Sequence, residues 1–226
     1  MNNQLEIKEL HPGAIFSYGG VEWVQLPADD YGVFALAKEP VFLTIFDKHN
    51  GNAWGESTLR NSLNDFDDEE SFINQLISNG AKYEDFCRIS QHLIADDGLD
   101  CYGYCSDTIT LLTADQYRLW RKYIPLIDTF FWLATPFTCT KSRTGNVKFV
   151  GAVGTLYNRG ANNGNGGVRP LCKLNFNTVV TRVDNYGTKN FTKELVSIFD
   201  DCVSFSVNAS ESARSNKSLE DSEVEE

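Results

Sequence analysis

The stretch Ala14-Ile15-Phe16-Ser17-Tyr18-Gly19-Gly20-Val21-Glu22-Trp23-Val24-Gln25-Leu26 reads as a β-hairpin and sets the fold class. Two strand-like runs flank Gly19-Gly20, a two-residue turn in which both positions accept positive φ without steric cost. In the second run Val21, Trp23 and Gln25 alternate with Glu22, Val24 and Leu26, so one face is less polar than the other. Residues 33–37 and 41–45 continue the strand pattern, punctuated by Pro27 and Pro40.

Helical signals follow. Ser57 is placed to cap a short helix carrying Leu59 and Leu63. Over residues 67–79, Phe72, Ile73, Leu76 and Ile77 fall on one helical face. Asp67, Asp68, Glu69 and Glu70 stand at the expected start, where the helix dipole favours negative charge, and Gly80 at the stop. Residues 108–112 read as a strand entering a third helix, where Thr113 and Gln116 have capping-box spacing and Tyr117, Trp120 and Ile124 share a face up to Pro125. Strands are expected at 130–135 and 147–153, then a core strand at 168–174 and an edge strand at 179–183. A weak helix is expected at 191–199. Between the β runs, Asn158-Arg159-Gly160-Ala161-Asn162-Asn163-Gly164-Asn165-Gly166-Gly167 reads as a loop by composition.

Composition narrows the function. A net charge of −11 argues against nucleic acid and against anionic membrane surfaces, both of which need clustered Lys and Arg. No apolar run approaches the length of a membrane helix, and residues 1–10 lack the pattern of a secretion signal. The expectation is therefore synthesis in a cytoplasm, with any exit by assembly into a larger particle. The irregular spacing of Cys87, Cys101, Cys105, Cys139, Cys172 and Cys202, without a signal peptide, reads as reduced and mostly buried thiols. Residues 211–226 hold six acids and two bases and almost nothing apolar, so the end of the chain is expected to be disordered.

Five segments, in order, form a recognisable set: Gly13-Ala14-Ile15-Phe16-Ser17-Tyr18-Gly19-Gly20-Val21-Glu22-Trp23, Trp54-Gly55-Glu56-Ser57-Thr58-Leu59-Arg60-Asn61-Ser62-Leu63-Asn64, Thr110-Leu111-Leu112-Thr113-Ala114-Asp115-Gln116-Tyr117, Phe131-Trp132-Leu133-Ala134-Thr135-Pro136 and Gly167-Val168-Arg169-Pro170-Leu171. Together they resemble an uncharacterised domain family of gut bacteria, prophages and phages in the C-type-lectin-like superfamily. That superfamily also holds formylglycine-generating enzymes and variable proteins diversified by retroelements. The resemblance spans about residues 11–176 and implies an α+β, C-type-lectin-like fold over residues 1–207, mostly antiparallel sheets with two or three flanking helices. An acidic Ser/Glu-rich tail at 208–226 follows. Ser62 departs from an aromatic usual in the family, which should loosen packing under its helix, and Ala134 stands where Arg is common. The segment 76–104 is longer than usual. Trp23, Trp54, Arg60, Trp132 and Arg169 are expected in the structural core, with the two arginines paired or bonded to carbonyls.

Candidate chemistry is sparse. His11, His49 and His92 are scattered and match no metal or catalytic spacing. Cys101 and Cys105 are half of a zinc site without its second half. The acids at 65–70 lack the spacing of a calcium loop. No metal or cofactor is expected, and Cys172 reads as a small buried hydrophobe. In C-type-lectin-like proteins ligands are commonly met just before the closing strand, which here presents Tyr157, Asn158, Arg159, Asn162, Asn163 and Asn165. Amides that both donate and accept suit hydroxyl-rich glycans or peptide backbone, and Tyr157 offers a stacking surface. The plain alternative is that Asn and Gly are simply tolerated at positive φ in a long loop. The resulting expectation is a non-catalytic virion accessory protein of a phage or prophage, in capsid decoration, a head fibre or tail adhesion. It would dock to other virion or surface proteins and take host-surface glycan or protein as a candidate ligand, with homo-oligomerisation left open. The alternative is an intracellular bacterial interaction module or a remote formylglycine-generating-type enzyme.

Overall fold

The computed structural model describes residues 3–140 and 144–183. In chain order their elements are β1 (Gln4–Glu6), β2 (Ile15–Tyr18), β3 (Val21–Asp29), β4 (Gly32–Ala37), β5 (Phe42–Thr44), α1 (Thr58–Asn64), α2 (Phe72–Ser78), β6 (Ile89–His92), β7 (Tyr104–Asp107), β8 (Ile109–Thr110), α3 (Ala114–Trp120), β9 (Phe131–Pro136), β10 (Asn146–Val150), β11 (Leu156–Gly160), β12 (Gly166–Val168), β13 (Leu171–Leu174) and β14 (Val179–Arg182). The class is α+β with mostly antiparallel sheets and three short helices.

The opening hairpin forms as read, with Gly19 at φ 59° and Gly20 at φ 76° between β2 and β3. It lies within a seven-stranded sheet ordered β1-β14-β2-β3-β4-β13-β8. A second sheet is ordered β11-β10-β9-β12-β5, antiparallel except for the β12–β9 pair. β6 and β7 pair as a separate hairpin. Pro27 does not end β3. The strand continues to Asp29 through a register shift between Gln25 and Ala28, which spares the ladder the missing N–H.

Both faces of the seven-stranded sheet are covered. Along β4, Val33, Ala35 and Ala37 point into one core with Leu59 and Leu63 of α1 and Phe72, Ile73 and Leu76 of α2. Phe34 and Leu36 point into the other, with Tyr117 and Trp120 of α3. The second sheet feeds both cores through the alternation of β9, sending Trp132 and Ala134 one way and Phe131 and Leu133 the other. Trp23, Trp54 and Trp132 are fully buried.

The helix signals hold at the caps. Ser57 Oγ accepts from Arg60 N, and Thr113 and Gln116 form the reciprocal capping box. α2 begins only at Phe72, because Asp65 and Asp68 spend their carboxylates on the N–H groups of Asp67 and Glu70 in the preceding turns. Ser62 faces solvent and donates to Thr58 O, so no packing is loosened there.

Three expectations are corrected. The single strand expected at 168–174 is two, β12 in one sheet and β13 in the other, parted at Arg169-Pro170. β14 is interior, because β1 adds outside it, and the charged start of the chain carries little strand signal. Cys101 and Cys139 form a disulfide across a Cα–Cα distance of 6.4 Å, while among the described residues Cys87, Cys105 and Cys172 are free. The expected helix at 191–199, the tail at 208–226 and Cys202 lie outside the described residues.

Candidate functional site

The Asn/Gly-rich stretch is not one loop. Leu156–Gly160 is strand β11, an edge of the second sheet among the described residues, and Gly166–Val168 is the buried strand β12. Only 161–165 remains as a turn between them. Tyr157, Asn158 and Arg159 therefore sit on an edge strand, while Asn162, Asn163 and Asn165 are exposed in the turn.

Strand alternation divides the candidate residues. Tyr157 and Arg159 share one face of β11, and Asn158 points to the other. Tyr157 is paired with Phe149 of β10, its ring centroid 5.7 Å away, and remains 52% exposed. Phe149 lies 4.9 Å from Phe130, which lies 5.3 Å from Trp132 in an edge-to-face arrangement. The Arg159 guanidinium closes the figure 5.3 Å above the Phe130 ring. A row of rings thus runs from the fully buried Trp132 out to Tyr157, where core becomes surface. Arg159 is half-buried there, so its guanidinium combines a cation–π contact with Phe130 and donors near the surface. On the opposite face, Asn158 Oδ1 accepts from Asn146 Nδ2 at 3.2 Å.

Three loops build the turn's support. Ala161 N donates to Gly145 O at 2.7 Å, and Ala161 O accepts from Phe46 N at 2.8 Å and from Asp47 N at 3.1 Å. Asn50, left-handed at φ 60°, accepts from Asn162 N through Oδ1 at 3.4 Å. Beneath it the buried Asp47 carboxylate accepts from the backbone N–H groups of His49, Gly51 and Thr58 at 2.9–3.1 Å. Burial alone would raise its pKa, but the three donors together outweigh that and hold it below the usual carboxylate value. Asn52 locks the same end, donating to Thr138 O at 2.7 Å and Asn146 O at 2.9 Å and accepting from the Tyr102 hydroxyl at 2.7 Å. An amide-rich rim of Asn50, Asn146, Asn158 and Asn162 results, on a rigid base.

The two core arginines differ. Arg60 donates to Asp107 Oδ1 through Nε at 2.9 Å and through Nη2 at 2.7 Å, and Trp54 Nε1 donates to Asp107 Oδ2 at 2.9 Å. Bonding to Asp107 pushes the Arg60 pKa up despite partial burial. Arg169, 1% exposed, has no carboxylate in ion-pair reach among the described residues. It donates to Ala37 O at 2.9 Å and Pro125 O at 3.2 Å and lies 4.9 Å over the Phe131 ring. Burial lowers its pKa to about 10, still far above neutrality.

The remaining reactive groups are dispersed. His92 stacks on Tyr104 with centroids 4.3 Å apart and bonds Asp100 at 2.8 Å. Burial, then the neighbouring Asp107, raises the Cys105 thiol to about 11, and burial raises Cys172 further. Among the described residues no group of three or more His, Cys, Asp or Glu is placed to hold a metal ion. No helix of the described residues is long and apolar enough to cross a membrane.

Sequence reading named Tyr157 and Arg159 but missed the rings that carry them, Phe130 and Phe149, and the supporting Asp47–Asn52 loop. Reading 156–160 as a strand would have supplied the signal, since alternation then aligns Tyr157 and Arg159. Comparison with protein-family models, curated proteins and solved structures returns no match.

Proposed function

We propose that this chain is a non-catalytic binding module of the C-type-lectin-like kind. It meets a glycan with the exposed face of β11 and the amides of the 161–165 turn. The observation that carries this reading is the aromatic row ending at the half-exposed Tyr157, with Arg159 spread over Phe130 beside it. An aromatic ring at a sheet edge offers a sugar its apolar face, and neighbouring amide and guanidinium donors suit ring hydroxyls. The pairing of β1 with β14, next to the opening hairpin, is in keeping with a lectin-type frame. So are the flanking helices and the passage of the closing segment from one sheet to the other. Cys172 has a thiol too buried and too weakly acidic to serve as a ligand or nucleophile, which favours the non-catalytic reading.

The resemblance to phage and prophage domains extends the proposal to display on a particle surface, with docking to other structural proteins. A glycan array probed with the intact chain tests the binding. Tyr157→Ala should weaken the strongest interaction roughly tenfold, the loss of about 1–2 kcal/mol usual for a central aromatic contact. An array without signal, or signal untouched by Tyr157→Ala and by Asn162→Ala with Asn163→Ala, would overturn it. Electron microscopy of assembled particles tests display, which fails if the protein is absent from them.

A further inference from the structure

The chain contains four Asn-Gly steps: Asn50-Gly51, Asn79-Gly80, Asn163-Gly164 and Asn165-Gly166. Such a step is chemically labile when the glycine nitrogen can reach the asparagine side chain. The nitrogen, losing its proton to base, attacks Cγ and expels the amide nitrogen as ammonia, closing a succinimide. Water then opens either carbonyl to leave aspartate or isoaspartate. The balance is asparagine plus water giving acid plus ammonia, with no oxidant or reductant. The glycine N–H must be free to ionise and the chain free to bend, so a structural hydrogen bond on that N–H suppresses the reaction.

The fold protects three steps and leaves one open. Gly51 N donates to the buried Asp47 carboxylate at 2.9 Å, and the negative oxygen further opposes loss of the proton. Gly80 N donates to Ile77 O at 3.0 Å, and Asn79 Nδ2 is held by Gln75 O at 2.9 Å. Gly166 is buried in β12, in register with Thr44. Gly164 stands in the exposed turn, outside any strand, at φ 84°, and its N–H has no partner among the described residues. The Asn163 side chain is likewise without a partner there, while its own N–H donates to Gly160 O at 2.9 Å and anchors the start of the turn.

We propose that Asn163 is a site of spontaneous deamidation in the folded protein. The product places a carboxylate beside Arg159, whose guanidinium packs so closely on Gly164 that an added Cβ would lie 3.1 Å from Nη2. The modification therefore adds one negative charge to the cationic corner of the turn. It does not depend on the ligand proposed above.

Incubating the intact protein at mildly alkaline pH, then peptide mapping by mass spectrometry with isoaspartate detection, tests this. Asn163 should convert at least about fivefold faster than Asn50 or Asn79, the ratio that one hydrogen bond on the competing nitrogens supplies, and faster than Asn165, whose glycine is buried in β12. Conversion should quicken as pH rises, and Asn163→Gln should abolish the new acidic species. In urea-unfolded chain the four steps should converge in rate. Equal or faster conversion at any of the other three in the folded chain, or the same bias surviving in urea, overturns the proposal.

Discussion

The second sheet has an outer strand whose side chains are partly exposed and an inner strand whose two glycines leave no room for side chains. On β11, Tyr157 and Asn158 are exposed on opposite faces, and among the described residues the strand has a partner on one side only. On β12, a Cβ built at Gly166 would fall 2.5 Å from Phe130 Cε2 and from Trp132 Nε1, and one at Gly167 2.9 Å from Pro40 Cγ. Six residues apart along the chain, one strand is shaped for contact with something outside and the other for contact with Trp132. Glycine thus does two jobs in this stretch. Gly164 serves the turn through its positive φ, whereas Gly166 and Gly167 serve the core through absent volume.

Variants that break this contrast should differ in size. The largest loss is expected at the end of β12, where Arg169→Ala strips a donor from Ala37 O and Pro125 O and leaves a cavity against Phe131. Urea unfolding should show a loss of about 3–4 kcal/mol. Arg169→Met, which keeps the volume without the buried charge, should recover part of it. Next comes Gly166→Ala, expected to cost about 2 kcal/mol because neither the Phe130 ring nor the Trp132 indole can yield fully to the new methyl.

A smaller effect is expected under the turn. Asp47→Asn should cost about 1–2 kcal/mol in charge-assisted bonds to three backbone N–H groups. The folded Asp47 pKa lies below the unfolded one, so its contribution is complete above the ordinary carboxylate range. It is lost as pH falls below the unfolded carboxylate value and through the depressed folded one. Acid titration of the unfolding midpoint should be shallower in Asp47→Asn than in the parent. It should not be flat, because Asp29 and Asp96 are also held low: in each, salt-bridging hydrogen bonds outweigh the opposing burial. The smallest change belongs to β11. Tyr157→Ala should stay within about 0.5–1 kcal/mol of the parent, since half the ring is already in water. A large loss there would erase the contrast and make the edge strand part of the core.

Much of the frame was legible because its signals are local. Gly19-Gly20 needs only its own φ angles to turn the chain. Ser57 and Thr113 cap helices whose N–H groups are three residues away. Apolar period marked Leu59 with Leu63 and Phe72 with Leu76. The candidate site was legible only as a list of residues, because high Asn and Gly content hid two strands. β11 is a strand through its register with β10, and β12 through contacts with Phe42–Thr44 and Phe131, more than 30 residues away.

By itself the sequence determined the opening hairpin, the helix caps, the burial of the tryptophans and the acidic surplus, each written in short-range turn chemistry, periodicity or composition. Tertiary structure alone decided that Arg169 answers to Ala37 O, 132 residues distant, rather than to an acid, and that Cys101 finds Cys139. It alone carried the ring row from Trp132 to Tyr157 on the outer strand. The physical reason is that each of these is a contact between atoms the chain brings together only after the sheets have closed, and no local preference encodes a partner's position.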